Sequence, residues 1–477
     1  MLLMSKKLRI LVAQLNPVVG DIRGNLELAR GALAEGKAKG ADLVVLSELF
    51  ILGYPAEDLV LKPAAVEDSM KAVKTLAAET ADAPDMIIGA PWMEEGKRHN
   101  SAVWLSGGAI KGRYDKRELP NYGVFDEKRI FDAGEGPPPV FEFHGVTIGV
   151  AICEDIWYPR VPSELHDAGA DMLIVPNGSP WRRSVQVERH TTFSAWRKTG
   201  VPYLFVNQVG GQDELVFDGS SYAVDHDGTE HQLLGDFVTG TAMVDYDPAT
   251  HCFESGAKAE LTEGWHAEYR AAVMALGDYV NKNRFPGVII GLSGGIDSAL
   301  TAAVAVDALG ADRVHCVMMP SPYTSDDSLM DAAEAAALLG VEPVALEYPL
   351  SSEQDKLRTS LLPGLANALQ HNANHDTADA ALFEIGRVFR DDDGQPAEGW
   401  RLAIALTGRR FAPFHEGAER DAVNEFADLK GIIEEFAGQF GMRGVSYERH
   451  DAGSEFFVES GSVKLGNTPA GTLGQFS

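Results

Sequence analysis

The sequence predicts an α/β protein of more than one domain, and three observations carry that expectation. Apolar runs rich in Val, Ile and Leu alternate with helical stretches through the first half of the chain. A buried-strand pattern, "GVIIGL", enters the turn "SGGIDS" and continues as a helix, a geometry suited to approaching phosphate. Beyond "VEPVALEY" the rhythm changes to a helix, alternating strands and an amphipathic helix, which is an α+β pattern.

The first domain is placed at residues 1–248. There "LRILVAQLN" reads as a first core strand, "NLELARGALAEGKAKG" as a helix and "ADLVVLSELF" as the next strand. The pattern repeats through "DMIIGAPW", "SAVWLSG", "TIGVAICEDIW", "ADMLIVPNGS" and "PYLFVNQVGG". Near-continuous apolar runs belong to sheets with covered faces, because a strand wet on one side alternates instead. The 477 residues suffice for several domains with cores of their own.

Hydrophobic residues at 45% and charged residues at 23% are ordinary for a folded chain. The formal net charge of −29 repels phosphate backbones and anionic lipid, which argues against direct nucleic-acid or membrane binding. Cys153, Cys252 and Cys316 lie far apart with no CxxC pair, the usage expected of a reducing compartment. No secretory pattern opens the chain and no run of about 18 apolar residues occurs, so a cytoplasmic location is expected.

Three strand ends or the loops after them carry unusual residues. Glu48 ends "VVLSE", Lys116 lies in the polar loop "DKRELPNYGVFDEKR", and Cys153 ends "TIGVAIC", where a sharp turn would push the thiol outward. A thiolate, a carboxylate base and an ammonium make a workable acyl-transfer set: attack on a carbonyl, proton transfer, oxyanion stabilisation. Glu154 and Asp155 beside Cys153 would raise its pKa, so a nearby cation is needed to offset them. Taken singly, each residue has a plainer account. A lone Cys after a strand is most often a small core residue, and Glu48 and Lys116 have solvated defaults.

"SELFILGYPAEDL", "DKRELPNYGVFDEKR" and "GVAICEDIWYP", in that order and spacing, resemble the glutaminase (nitrilase-superfamily) domain of glutamine-dependent NAD synthetases. The resemblance implies an αββα sandwich that hydrolyses the glutamine amide through a thioester and releases ammonia. It places the base, lysine and nucleophile on Glu48, Lys116 and Cys153, and glutamine contacts on Tyr122 and on Ser179 of "PNGSPW". The family usually has a basic residue six positions after that serine; this chain has Val185, with Arg182 and Arg183 as candidate replacements. Domains of this kind commonly assemble, so the resemblance also implies a homo-oligomer.

The second domain is placed at residues 249–347. "TEGWHAEYRAAVMALGDYVNKN" reads as a helix with an apolar stripe, ahead of the strand–turn–helix unit. No GxxxxGK[ST] occurs, so this is not a Walker-type loop. "SGGIDS" looks like the pyrophosphatase loop of N-type ATP pyrophosphatases, and "RVHCVMMPSPYTSDDSLMDAAEAAALLG" resembles the same NAD synthetases. ATP would then be held by Gly291, Leu292, Ser293, Gly294, Gly295, Ile296, Asp297 and Ser298, with Asp297 on Mg²⁺. Deamido-NAD would be adenylylated on its carboxylate and ammonia would displace AMP, with ATP and Mg²⁺ as co-substrate and metal and no tightly bound cofactor. The fold implied is a doubly wound parallel sheet, here partial: strands and a "TTGNKSE"-like turn expected after "VEPVALEY" are not found.

The remainder, residues 348–477, resembles the C-terminal core of the phenylalanyl-tRNA synthetase β subunit, an α+β class II-like fold, through "SSEQDKLRTSLLPGL", "FEIGRVF" and "FADLKG". The tail "AGTLGQFS" reads as an abrupt end for that fold. Two incomplete units are therefore expected to meet near residue 347, the product of a rearranged, truncated or misassembled reading frame rather than a linked fusion. The leading expectation is a glutamine-dependent NAD synthetase with doubtful ligase activity, acting on glutamine, ATP and deamido-NAD. Two alternatives stand beside it: an accessory protein docking through the synthetase-like segment, and a stand-alone nitrilase-superfamily amidase.

Overall fold

The computed structural model describes residues 7–193, 200–256, 259–320, 324–345, 358–375, 377–392, 395–410, 422–450 and 457–476. The chain divides into two compact units between Tyr348 and Pro349. The junction expected near residue 347 lies within 346–357, outside the described residues, as does part of "MPSPY".

The first unit opens with β1 (Leu8–Gln14), α1 (Ile22–Lys39), β2 (Leu43–Val45), α2 (Pro63–Glu79), β3 (Asp85–Glu94), β4 (Lys97–Ser106) and β5 (Ala109–Asp115). After the short α3 (Glu127–Ile130) come β6 (Val140–Phe143), β7 (Val146–Val150), α4 (Arg160–Asp167), β8 (Met172–Asn177) and α5 (Val185–Phe193). The sandwich continues through β9 (Tyr203–Asn207), β10 (Val209–Gln212), β11 (Leu215–Asp218), β12 (Tyr222–Val224) and β13 (Glu230–Gln232), then β14 (Gly240–Asp247) and β15 (Cys252–Ser255).

Two large sheets result, one ordered β15-β14-β1-β2-β3-β4-β5 and the other β13-β12-β9-β8-β7-β6, and β10 pairs with β11 as a separate two-stranded sheet. Strand periodicity explains the four layers. Leu8, Ile10 and Val12 belong to the core shared with β7, β8 and β9, whereas Leu11 and Ala13 pack with Ala29, Leu33, Val73 and Leu76 of α1 and α2. Val161 and Leu165 of α4 cover the other sheet. This is the expected αββα sandwich. Its strands read as unbroken apolar runs because both faces are buried.

The same unit adds α6 (Gly264–Lys282), β16 (Val288–Gly291), α7 (Ile296–Leu309), β17 (Val314–Met318), α8 (Asp326–Leu338) and β18 (Val344–Ala345). Their sheet is parallel, in the order β16-β17-β18. Helix α6 holds it to the sandwich. Asp278 accepts from the Gly211 amide of β10 (2.6 Å) and from Asn16 Nδ2 (2.8 Å), and Lys282 donates to Asn16 Oδ1 and the Gly211 carbonyl (2.7 Å each).

The second unit is α+β, as expected. Helix α9 (Leu362–Asn374) packs on the long hairpin β19 (Ala380–Asp392) and β20 (Gln395–Thr407). Helix α10 (Phe426–Gln439) precedes an antiparallel sheet β21 (Val445–Arg449), β22 (Glu459–Leu465) and β23 (Thr468–Gln475). Pro363 in the first turn of α9 suits a helix start, where its missing N–H costs nothing.

Candidate active site

Glu48, Lys116 and Cys153 converge at one end of the sandwich. Glu48 follows β2, Lys116 follows β5, and Cys153 opens a tight 3₁₀ turn, Cys153–Ile156, after β7. All three are buried, so the solvated defaults for Glu48 and Lys116 do not hold. Lys116 Nζ donates to Glu48 Oε1 at 2.7 Å. Asn100 Nδ2 (2.7 Å) and the Gly178 amide (2.8 Å) fix the two oxygens of Glu48, so its plane is set from both sides. A Cβ on Gly178 would come within 2.5 Å of the Tyr54 ring, so only glycine brings that amide to Glu48.

Cys153 sits at φ 44°, a left-handed conformation that a non-glycine residue adopts at a cost. Burial, then Glu48, pushes its thiol well above the usual range; Lys116 and a Gly178 backbone hydrogen bond act the other way. Burial thus favours the protonated thiol at Cys153. Glu154 also raises the thiol, and Lys116 opposes the rise without cancelling it.

Glu127 has no place among the expected residues, although it lies inside the quoted loop "DKRELPNYGVFDEKR". Its Oε1 accepts from Lys116 Nζ (2.8 Å) and from the Tyr54 hydroxyl (2.8 Å). One buried ammonium thus sits between two buried carboxylates. Burial works to lower the Lys116 pKa, but Glu127 and Glu48 outweigh it and hold the ammonium well above the usual range. Two carboxylates on one cation leave an excess negative charge, and Glu127 absorbs it: burial, opposed by Lys116 and reinforced by Glu48, pushes it up to about 7. Sequence offered no signal, since a second acid in a charged loop reads as solvated surface.

Tyr122 and Ser179 flank this cluster. The Tyr122 hydroxyl donates to both oxygens of Glu154, at 3.0 and 3.1 Å, and burial followed by Glu154 raises its pKa. Ser179 follows Gly178, and its carbonyl and hydroxyl both accept from the buried Arg189 (2.9 and 3.1 Å). Arg189 is held in turn by Asp218, with both nitrogens at 2.9 Å. Val185 is buried. Arg182 pairs with Glu188, and Arg183 pairs with Glu268 at 2.7 Å. The cation that supports Ser179 is thus Arg189, ten positions on, which sequence reasoning passed over.

Gly291 closes β16, and Gly295 caps α7. Between them Gly294 takes φ 81°, where a Cβ would lie 2.2 Å from the Ser328 carbonyl oxygen. The loop bonds to itself: Ser298 Oγ donates to the Gly295 carbonyl (2.9 Å) and accepts from the Ser293 amide (3.2 Å). Leu292 is buried beneath the loop, while Ile296 and Asp297 are exposed in the first turn of α7. A positive helix end with open amides suits a phosphate. Among the described residues no group of three or more metal-ligating side chains occurs. No helix among them is long and apolar enough to cross a membrane, and Cys153, Cys252 and Cys316 are all free.

Comparison with known proteins covers most of the chain. The carbon-nitrogen hydrolase family matches residues 9–251 and the NAD synthase family residues 268–366. The phenylalanyl tRNA synthetase beta chain CLM domain matches residues 319–477, overlapping the previous match. The glutamine-dependent NAD(+) synthetase of Rhodobacter capsulatus is 41% identical over 392 residues, 81% of this chain and 71% of that one. That share is larger than residues 1–347 would supply, so the likeness runs past the expected junction. The corresponding enzyme of Acinetobacter baylyi is 40% identical over 337 residues, 70% of this chain and 62% of that one. This chain thus spans about two thirds of the length of these relatives. The solved structure of the glutamine-dependent NAD+ synthetase from Acinetobacter baumannii, in complex with adenosine diphosphate, superposes with a TM-score of 0.69 at 37% identity, covering 78% of this chain and 68% of that one. The chain belongs to the glutamine-dependent NAD(+) synthetase family.

Proposed function

We propose that the chain hydrolyses glutamine at Cys153 as the first half of glutamine-dependent NAD(+) synthesis. The observation that carries this reading is the buried cluster in which Lys116 joins Glu48 to Glu127 beside a strained Cys153. Glu48 takes the thiol proton as sulfur attacks the glutamine amide carbon, and Lys116 stabilises the negative oxygen that forms. Glu48 returns the proton to the departing nitrogen, leaving a thioester and ammonia. A water then attacks, Glu48 accepts its proton and passes it to the sulfur, and glutamate leaves. The Glu154 carboxylate near the Tyr122 hydroxyl suits the substrate's α-ammonium.

The loop from Gly291 to Ser298 serves the second half, holding ATP through its amides and hydroxyls. The deamido-NAD carboxylate attacks the α-phosphorus and expels pyrophosphate; ammonia then attacks the acyl adenylate and expels AMP. Asp297 would hold Mg²⁺, which supplies charge neutralisation on the phosphates. Because β16 pairs only with β17 among the described residues and Ile289 is 77% exposed, the expected outcome is slower turnover in this half than in the first. A second reading, an amidase for amides lacking an α-carboxylate, is favoured by one observation: Val185 is apolar, and Arg182 and Arg183 pair elsewhere.

The test is mass spectrometry of chain quenched during turnover. Glutamine adds a glutamyl thioester at Cys153, and the mass shift is absent in Cys153→Ala. An unmodified Cys153 during sustained glutamate release would rule the mechanism out. Modification by simple amides but not by glutamine would favour the second reading.

A further inference from the structure

Asp155 stands two residues after the nucleophile, fully buried, and no cation forms an ion pair with it among the described contacts. Its two oxygens collect four donors. Oδ2 accepts from the Ile152 amide (2.9 Å) and the Tyr114 hydroxyl (2.8 Å). Oδ1 accepts from the Arg117 amide (3.0 Å) and the Glu118 amide (2.8 Å). Ile152 immediately precedes Cys153, and Arg117 immediately follows Lys116. Lys116 hangs from β5, the edge of the seven-stranded sheet, and Cys153 from β7 of the six-stranded sheet. These two catalytic groups therefore belong to different layers, and one carboxylate bonds the backbone beside each.

From this geometry we infer that Asp155 is a positioning residue for glutamine hydrolysis, a bridge that fixes the spacing between Cys153 and Lys116 across the two sheets. The inference rests on Cys153 being the glutaminase nucleophile. The arrangement has physical reasons to act on rate. Three backbone amides converge on one carboxylate, each a charge-assisted bond that a neutral group makes more weakly. The turn it braces holds Cys153 at φ 44°, a conformation that relaxes unless its surroundings over-determine it. A nucleophile displaced by about 1 Å from its stabilising cation loses on the order of 100-fold in rate. Burial raises the Asp155 pKa to about 6, against the amides of Glu118 and Ile152, which lower it; the carboxylate is thus ionised at neutral pH, as the bridge requires.

Asp155→Asn is the decisive variant. It keeps the shape, but its amide nitrogen can face only two of the four donors, and it meets the Ile152 amide N–H or those of Arg117 and Glu118 as donor against donor. Glutamate release is measured per folded molecule, with the folded fraction read from near-ultraviolet circular dichroism and Cys153→Ala run in parallel. The expected result is a fall in kcat of about 100-fold with KM within about threefold, together with slower alkylation of Cys153 by iodoacetamide in the folded fraction. A kcat within twofold of the parent overturns the inference, as does activity that merely tracks the folded fraction, or a variant with no folded population. If Cys153→Ala itself retains glutamate release, it is the glutaminase reading that fails, and the two failures are told apart.

Discussion

The sandwich and the three-stranded sheet that follows it are built from similar apolar strands, yet they end in different states. Residues Leu173, Ile174 and Val175 of β8 and Leu204, Phe205 and Val206 of β9 are buried without exception. In β16, Ile289 and Gly291 are exposed while Val288 and Ile290 are only partly covered. Ile296 and Leu300 of α7 and Leu338 of α8 also face solvent. β16 has β17 on one side and no strand on its other side among the described residues. A strand fit for burial on two faces gains about 25 cal/mol per Å² of apolar surface covered, and here one face forgoes that gain. The lesson is that the phosphate loop can take its shape on a locally formed strand–turn–helix, whereas rigidity comes from layers on both sides. The Glu48–Lys116–Cys153 cluster has such layers. The Gly291–Ser298 loop does not.

The sharpest way to break this contrast is at Cys153. Replacing it with Ala should lower glutamate release by at least about 10⁴-fold, the scale of losing a nucleophile outright, while leaving the melting temperature nearly unchanged. Hydrogen exchange should then separate the two regions. Amides of β1 and β8 are expected to be protected at least about 10³-fold more than those of β16 and β17, since local opening free energy follows covered apolar contact. Equal protection would remove the basis of the comparison.

Within the sandwich, Glu127→Gln should cost about 10- to 100-fold in kcat by leaving Lys116 with a single carboxylate. Glu127 also sets a pH dependence. Its folded pKa of about 7 lies above the ordinary 4.5, so its contribution to stability is complete below about pH 4.5 and is lost as pH rises through about 7. The parent is expected to show a limb near pH 7 in its pH–activity profile that is absent in Glu127→Gln; a limb that persists in the variant assigns it elsewhere. In the Gly291–Ser298 loop, Gly294→Ala should destabilise that region by about 1–3 kcal/mol, read as a lower first thermal transition with the sandwich transition in place. The smallest effect belongs to the surface: Arg30→Ala, which breaks exposed pairs with Glu79 and Glu27, should shift stability by no more than about 1 kcal/mol.

Much of the site was legible because strand ends are where sequence says most. "VVLSE" and "TIGVAIC" each close an apolar run with a reactive group, and their convergence follows from the sheet order. Lys116 was found only with Glu48 and Cys153 beside it, since a loop lysine carries no signature of burial. Glu127, Arg189 and Asp155 were not foreseen as partners. Each acts through contacts far along the chain: Arg189 on Asp218 29 residues away, Asp155 on Arg117 38 residues away. Such pairings depend on which strands become neighbours, which local pattern does not report. The helix expected across "PLSSEQDKLRTSLLPGLANALQHNANH" is described only for Leu362–Asn374, while 346–357 lie outside the described residues. The tail "AGTLGQFS" falls in β23 and the residues after it.

The fully layered cluster around Cys153 is followed along the chain by the Gly291–Ser298 loop on a half-covered sheet, and we propose glutamine hydrolysis for the first and ATP binding for the second. The most direct test is one reaction with purified chain, glutamine, deamido-NAD, ATP and Mg²⁺, scoring glutamate and NAD together. The expected result is steady glutamate release that Cys153→Ala abolishes, with fewer than about one NAD formed per ten glutamates, a deficit on the scale of a misplaced loop. NAD formed in step with glutamate would contradict it, because the half-covered sheet would then be holding its substrates as firmly as the sandwich holds its own.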